Sequence, residues 1–360
     1  MQLRRAAPAG VLAALVALGA LSAHADPVVT IDARTGIYQD SDHTTVSTSS
    51  VAASGEPTEH LHVGAQYLAD AISSASVDVV SSATGRIHEL RHELTADLGY
   101  HDDDGAMGFS YVHSTEHDWT SSTFGLSSSH QLAQHNLTLG FAGSFGRNDI
   151  GKDSRLPFHK ELTSGGGEVS ASFTLSPRDL VGVTYGLTYL DGYQASPYRF
   201  VVYGDLRAID ERLPTTRLRQ ALALRWNRHV FEDSALRTQL RAYHDDWGIL
   251  SLTAVAEYVF GAGPLDVSLH LRGYAQSSAD FYRPVYDVEQ PFMTSDRELT
   301  RFVDAFVGGK LRYARKWGSA GAHELRVDLR VDGFAFSFAD FPGLSSRTGV
   351  IVELGAGVGF

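Results

Sequence analysis

The last fourteen residues, Arg347 to Phe360, admit one kind of secondary structure. Every second residue from the end reads Phe360, Val358, Ala356, Leu354, Val352 and Val350, and between them stand Gly359, Gly357, Gly355, Glu353, Ile351 and Gly349. An apolar face alternating with a small or polar one is a period-two stripe, which only a strand presents as a continuous surface. Chain ends ordinarily fray. A strand this regular at the very end is expected where the last strand pairs with the first and closes a barrel without edges. The fold class expected is all-β, a single antiparallel transmembrane β-barrel. Phe360, Val358 and Leu354 then face lipid and form the part of the final strand that membrane assembly would read. Outer-membrane lipid and the barrel-assembly machinery, acting through this strand, are the expected partners.

The other end of the chain agrees with export. Residues 1–25 have the form of a cleaved signal peptide: Arg4 and Arg5, an apolar run from Gly10 to Leu21, then Ala23-His24-Ala25. The run is too short to cross a bilayer as a helix, so residues 26–360 are the expected barrel and the outer membrane of a Gram-negative bacterium its expected location. Loss of the leader takes the formal charge from -12 to -14, because Arg4 and Arg5 leave and no carboxylate does. An acidic chain of this size is a poor candidate for a nucleic-acid binder, since phosphate contacts need clustered Lys and Arg, and no nucleic acid is expected among its partners. The absence of cysteine removes disulfide frameworks and thiolate metal sites.

From Val28 onward, turn signals divide the chain into segments of strand length. They predict sixteen strands, near 28–38, 43–53, 58–70, 87–100, 105–115, 119–130, 135–147, 163–176, 179–193, 214–230, 234–246, 249–261, 264–277, 300–315, 321–338 and 347–360. The connections supply a check, since barrels of this type keep short turns on one side and long loops on the other. Ser54–Pro57, His101–Asp104, Gln131–Gln134, Pro177-Arg178, Phe231–Asp233, Ala262-Gly263 and Lys316–Ala320 are all short; the long connections 71–86, 148–162, 194–213 and 278–299 all fall in the opposite set. Aromatic residues near strand ends, among them Tyr38, Trp119, Trp226, Trp247, Tyr274 and Trp317, suit interfacial girdles.

Several stretches resemble an uncharacterised family of bacterial exported proteins that carry a domain of unknown function: Tyr38–Thr45, Tyr67–Gly85, Asp191–Arg199, Asp233–Ile249 and Thr294–Leu299. The resemblance implies export and an outer-membrane barrel. It implies no activity and transfers no functional residue.

One string bears on chemistry. His88-Glu89-Leu90-Arg91-His92 has the H-E-x-x-H form of zinc proteases, which requires both histidines on one face of a helix. On a strand they stand about 13 Å apart, and a helix here would break the paired strand series, so a strand is expected. No catalytic residue, metal site or cofactor is assigned. On the strand reading, Glu89, Glu93 and Asp97 form an acidic column facing the lumen. Arg217, Arg219, Arg225, Arg237, Arg241 and Arg272 come from strands about half a circumference away, with Arg326 and Arg330 further on. As pore-lining groups they would set a transverse field that selects charged solutes; alternatively they pair locally and brace the interior. The function expected is a porin-like channel for small hydrophilic solutes, with the loop 278–299 narrowing it. Two alternatives stay open: a non-transporting barrel whose outer loops bind a partner, and an outer-membrane hydrolase.

Overall fold

Alternating side chains force each amphipathic segment to be a strand, and a strand leaves half its backbone hydrogen bonds for neighbours on both sides. A computed structural model describes residues 29–74, 87–152, 157–205, 207–318 and 323–360; the expected leader lies outside them. The strands are β1 (Val29–Asp40), β2 (Thr44–Thr58), β3 (Leu61–Ser74), β4 (Ile87–His101), β5 (Gly105–Thr115), β6 (Trp119–Leu132), β7 (Leu137–Ile150), β8 (Lys160–Ser176), β9 (Asp179–Gly192), β10 (Phe200–Tyr203), β11 (Arg207–Asp210), β12 (Thr216–Phe231), β13 (Ser234–Asp245), β14 (Leu250–Ala262), β15 (Leu265–Gln276), β16 (Phe302–Trp317), β17 (His323–Phe338) and β18 (Ser346–Gly359). Sixteen of them form one closed antiparallel barrel, each paired with its chain neighbour and β1 with β18; β10 and β11 form a separate hairpin. Among the described residues the only helix is a 3₁₀ turn, Arg297–Leu299.

Closure runs the length of both strands. β1 and β18 pair from Thr30↔Gly359 to Asp40↔Gly349, and Val29 and Phe360 exchange backbone bonds of 3.0 and 2.9 Å. Strand ends differ from the expected ones. The first short turn lies at Glu59-His60 rather than Ser54–Pro57, because β2 runs on to Thr58 through an irregularity between Gly55 and Thr58 that absorbs Pro57. The third lies at residues 133–136 rather than Gln131–Gln134, where Ala133, Gln134 and His135 all take positive φ. The hairpin β10–β11 inside the 193–215 connection was not anticipated; its strands have four residues each, too few for a period to show.

The register carries face parity around the whole wall. Leu325, Val327, Leu329 and Val331 of β17 lie opposite Val358, Ala356, Leu354 and Val352 of β18 on the outer face. These join exposed Leu269, Leu271, Leu240, Leu222, Phe145, Leu126, Leu98 and Leu94 in an apolar band that suits lipid and not water. The inner face is polar. Of the aromatic residues expected in girdles, Trp226 and Trp317 are exposed on the outer face. Tyr38 is not: it stacks on Phe334 at 5.3 Å inside the barrel, and Trp119, Tyr274 and Trp247 line an inner cavity. For Tyr38, Trp119 and Tyr274 parity, rather than a place near a strand end, decides the surroundings; Trp247 lies in the β13–β14 turn.

Glycines at inward positions let side chains reach over a strand. Arg326 of β17 and Asp32 of β1 pair at 3.0 Å across β18, over Gly357. His270 of β15 meets Asp332 of β17 across β16, over Gly308. A Cβ on Gly308 would strike Asp332 and stand 2.6 Å from the Val331 carbonyl, so Gly308→Ala is expected to cost about 1–3 kcal/mol by overpacking. Gly165, with nothing within 4 Å of an added Cβ, is the control. The temperature at which the folded gel band converts to the unfolded one should fall for Gly308→Ala and hold for Gly165→Ala.

Candidate functional site

The barrel's termini mark one end; at the other, two long connections fold together across the mouth. Residues 193–215 carry the β10–β11 hairpin, and residues 277–301 add to it by bridges between Tyr203 and Tyr286 and between Arg212 and Met293. Arg212 and Met293 exchange backbone bonds of 3.0 and 2.9 Å. Val201, Tyr286 and the fully buried Met293 form a small core between the loops, and Trp247, Ile249, Ala279, Tyr282 and Leu299 form a second that ties them to the β13–β14 turn. The buried Glu211 joins the halves further: it accepts from Arg199 at 3.3 Å, from the Ser196 N–H at 3.0 Å and from the Thr294 hydroxyl. Arg199 also reaches Asp296 at 3.0 Å.

Anchors around the rim hold this cap. Arg297 pairs with Asp42 in the β1–β2 turn at 2.6 Å, Tyr198 donates to Asp118 in the β5–β6 connection, and the Tyr282 hydroxyl donates to the Asp340 carbonyl between β17 and β18 at 2.9 Å. The expected narrowing loop, 278–299, is thus one half of a two-loop cap. Nothing in its composition announces that partnership, since the contacts join residues far apart in the chain.

Below the cap, register puts Glu89, Glu93 and Asp97 of β4 on the inner face with Ile72, Leu68 and Gly64 of β3 beside them. In the barrel order β12, β13 and β15 lie six, seven and nine strands from β4, either side of half the circumference. Most of the expected pore-lining charges are committed to neighbours. Asp97 meets His62 at 3.1 Å, Arg237 meets Glu257 at 3.3 Å, Arg272 meets Asp304 at 2.7 Å, and Arg330 meets Asp332 at 2.6 Å and Glu353 at 3.7 Å. Arg217 donates from Nε to Asp245 at 2.8 Å with Trp247 stacked beside it. Arg326, as above, holds Asp32. Among the described residues, Glu89, Glu93, Arg219, Arg225 and Arg241 take no ion-pair partner. The Arg225 Nε reaches only Gln239, at 3.3 Å, and the Arg219 Nε has no hydrogen-bond partner.

Local bracing therefore accounts for one part of the set, and an acidic strip facing a basic one remains. Among the described residues, two of the cavities that open on the interior meet these arginines. One, of about 620 Å³, lies against β7, β8, β9, β12 and β13 and is lined by Arg219, Arg225 and Arg241. The other, of about 490 Å³, lies under the cap between Trp119, Arg219, Tyr274 and the cap residues Asp296 and Glu298. Across β5–β9 the inward positions are mostly Gly, Ala, Ser and Thr, as in Gly140, Ala142, Ser144 and Gly146 of β7, and that leaves the space unfilled. An inner aromatic cluster, Phe302, Phe306, Phe334, Phe336 and Phe338, stands under the cap opposite these cavities. Sequence reading passed over it, although Phe334, Phe336 and Phe338 continue the parity of Arg326, Arg330 and Asp332.

The H-E-x-x-H string lies on β4, with His88 and His92 paired to Ser73 and Ala69 of β3. That is strand geometry, and the His92 Nδ1 is engaged by the Tyr67 hydroxyl at 2.6 Å. Elsewhere Asp149, His159 and Glu161 bring ligand atoms within 4.8 Å of one another; the cluster is exposed, and Glu161 already holds Arg147 at 2.8 Å.

Residues 159–329 match the sequence model of a family described as "Protein of unknown function (DUF3570)". Three of the stretches that carry the resemblance, Asp191–Arg199, Asp233–Ile249 and Thr294–Leu299, fall inside that match. No curated protein matches the chain. Among solved structures, a bacterial polysaccharide outer membrane secretin is similar at a TM-score of 0.51 and 10% identity, over 93% of this chain and 99% of that one. CdiB from Acinetobacter baumannii is similar at 0.51 and 9% identity, and this chain spans 61% of its length. At such identities the likeness is one of fold: the closed barrel of outer-membrane proteins.

Two outcomes test the cap. Arg297→Ala leaves the buried Asp42 without this partner; breaking a buried pair costs on the order of 3 kcal/mol, so limited proteolysis within 277–301 should quicken while the barrel stays resistant. Burial raises the Glu211 carboxyl above its ordinary value of 4.5, against the pull of Arg199 and the Thr294 hydroxyl. A raised carboxyl takes up protons on closure, so its contribution to the closed cap is complete below about pH 4.5 and is lost as pH climbs through the raised value. Cleavage of the cap should therefore increase with pH over that window, and Glu211→Gln should flatten the dependence.

Proposed function

We propose that the protein resides in the outer membrane of a Gram-negative bacterium and passes small hydrophilic solutes through its lumen, with the two-loop cap setting access from outside. The observation that carries this reading is the unfilled interior. Barrels of sixteen to eighteen strands are wide enough for an aqueous channel, and here the Gly, Ala and Ser wall of β5–β9 leaves cavities lined by charged and hydroxyl groups. A purely structural barrel of this girth would be expected to fill that volume with side chains. The lumen supplies polar contacts for solutes that the apolar bilayer rejects. We propose no enzymatic role and no cofactor, since the one protease-like string is extended.

A second reading is favoured by one feature: Val285, Val288 and Phe292, within the 277–301 loop, are exposed. Large apolar side chains there suit a docking partner, and on this reading the barrel presents the cap rather than conducts.

Reconstitution into planar bilayers separates the two. The channel reading expects discrete current steps, and removal of residues 197–211 together with 281–297 should raise conductance severalfold. Folded protein that gives no steps with or without the cap overturns it and leaves the docking reading.

A further inference from the structure

We propose that Arg219, Arg241 and Arg225 form a ladder that binds small organic anions, presenting guanidinium groups to carboxylate or phosphate oxygens along one wall of the lumen. The inference deepens the channel reading above and rests on it for the direction of solute movement, though not for binding itself.

Arginines inside a barrel are usually answered by carboxylates on adjoining strands, as Arg91, Arg237 and Arg272 are here. Here the neighbouring acids are spent. Asp245, directly opposite Arg219, already accepts from Arg217, from the Tyr243 hydroxyl at 2.7 Å and from the Trp247 and Ile249 N–H groups at 3.1 and 3.0 Å. Glu257 holds Arg237 and Asp304 holds Arg272. On the other side of β12, β9 offers Thr188, Gly186, Thr184 and Gly182 opposite Arg219, Ala221, Ala223 and Arg225, with no carboxylate among them. Glu168 of β8 is the one carboxylate lining the cavity, against three guanidiniums.

The register sets the spacing. Arg241 lies opposite Ala223, between the levels of Arg219 and Arg225, so the three descend the wall over about 20 Å at the rise of a strand. Ala221 and Ala223 between them, and Gly186 beside them, keep the wall recessed, which is why a cavity of about 620 Å³ stands in front of the charges. Ser144, Thr184 and Thr188 line the same space and offer hydroxyls to the remainder of a polyhydroxylated anion. Guanidinium forks bind carboxylate and phosphate bidentately, which a point charge cannot do. A solute handed from one fork to the next travels from the cap cavity, where Arg219 also appears, toward the barrel's other end.

The test uses the full-length folded protein in planar bilayers under a potassium chloride gradient, with gluconate, glycerol phosphate and uncharged sorbitol as probes. Expected are an anion-preferring reversal potential and interruption of the chloride current by gluconate, glycerol phosphate or both, but not by sorbitol; which anion interrupts longer identifies the oxygen group the ladder favours. In Arg219→Gln/Arg225→Gln/Arg241→Gln, checked for heat-modifiable migration, the interruptions should weaken at least about tenfold, as loss of charged hydrogen bonds predicts. The corresponding triple lysine variant should keep the anion preference and shorten each interruption. Arg241→Gln alone gives the same comparison should the triple variant not fold. A cation-preferring wild type, or gluconate and glycerol phosphate interruptions unchanged in the variants, overturns the ladder while leaving a channel. Protein that passes no current but retains gluconate in equilibrium dialysis, and loses it in the variants, keeps the anion site and removes the channel; no current and no retention removes both.

Discussion

The pairing of β1 with β18 is the constraint on which the rest depends. A strand carries unpaired N–H and C=O groups along both edges, and in hydrocarbon each would cost several kcal/mol. An open sheet of these segments would have two such edges. Ladder bonds from Thr30↔Gly359 to Asp40↔Gly349 remove them, and the Val29–Phe360 exchange carries the closure to the last residue. Once the sheet is closed, every side chain has one of two destinations, and lipid-facing leucines and inward charges follow without further instruction.

Inside, the electrostatics are arranged by small residues as much as by charged ones. Inward glycines on β18 and β16 leave room for Arg326 to meet Asp32 and for His270 to meet Asp332 two strands away. The first of these pairs laces the wall where β1 and β18 join. Around β12 and β13 the same economy of side chains has another effect: alanines and glycines recess the wall, and the arginines that remain are not matched by acids. A single lumen thus has a braced part and an unfilled part.

The cap spans the mouth above both parts. Its contacts run from the β9–β12 and β15–β16 connections to the β1–β2, β5–β6 and β17–β18 rims, so opening it means breaking a set of bonds distributed around the mouth rather than swinging one hinge. Glu211, buried between Arg199 and Thr294, sits where the two loops meet; its protonation and the cap's closure are linked for that reason.

Period-two alternation, the segregation of short turns from long loops and the apolar final strand were enough to specify a closed sixteen-stranded barrel and the face on which Glu89, Glu93, Arg219, Arg225 and Arg241 stand, because parity is a local property of an extended chain. Strand ends were less legible: an irregularity carries β2 past Pro57, and no period survives in four-residue strands such as β10 and β11. Tertiary structure alone decided that Trp247, in the β13–β14 turn, packs into the cap, that most luminal charges pair with neighbours, and that two loops join over the mouth. Arg297 and Asp42 lie 255 residues apart, and Arg326 and Asp32 lie 294 apart. Such partners are set by which strands the closed sheet brings together and by where a glycine leaves room to reach, and neither is written in the residues' own neighbourhoods.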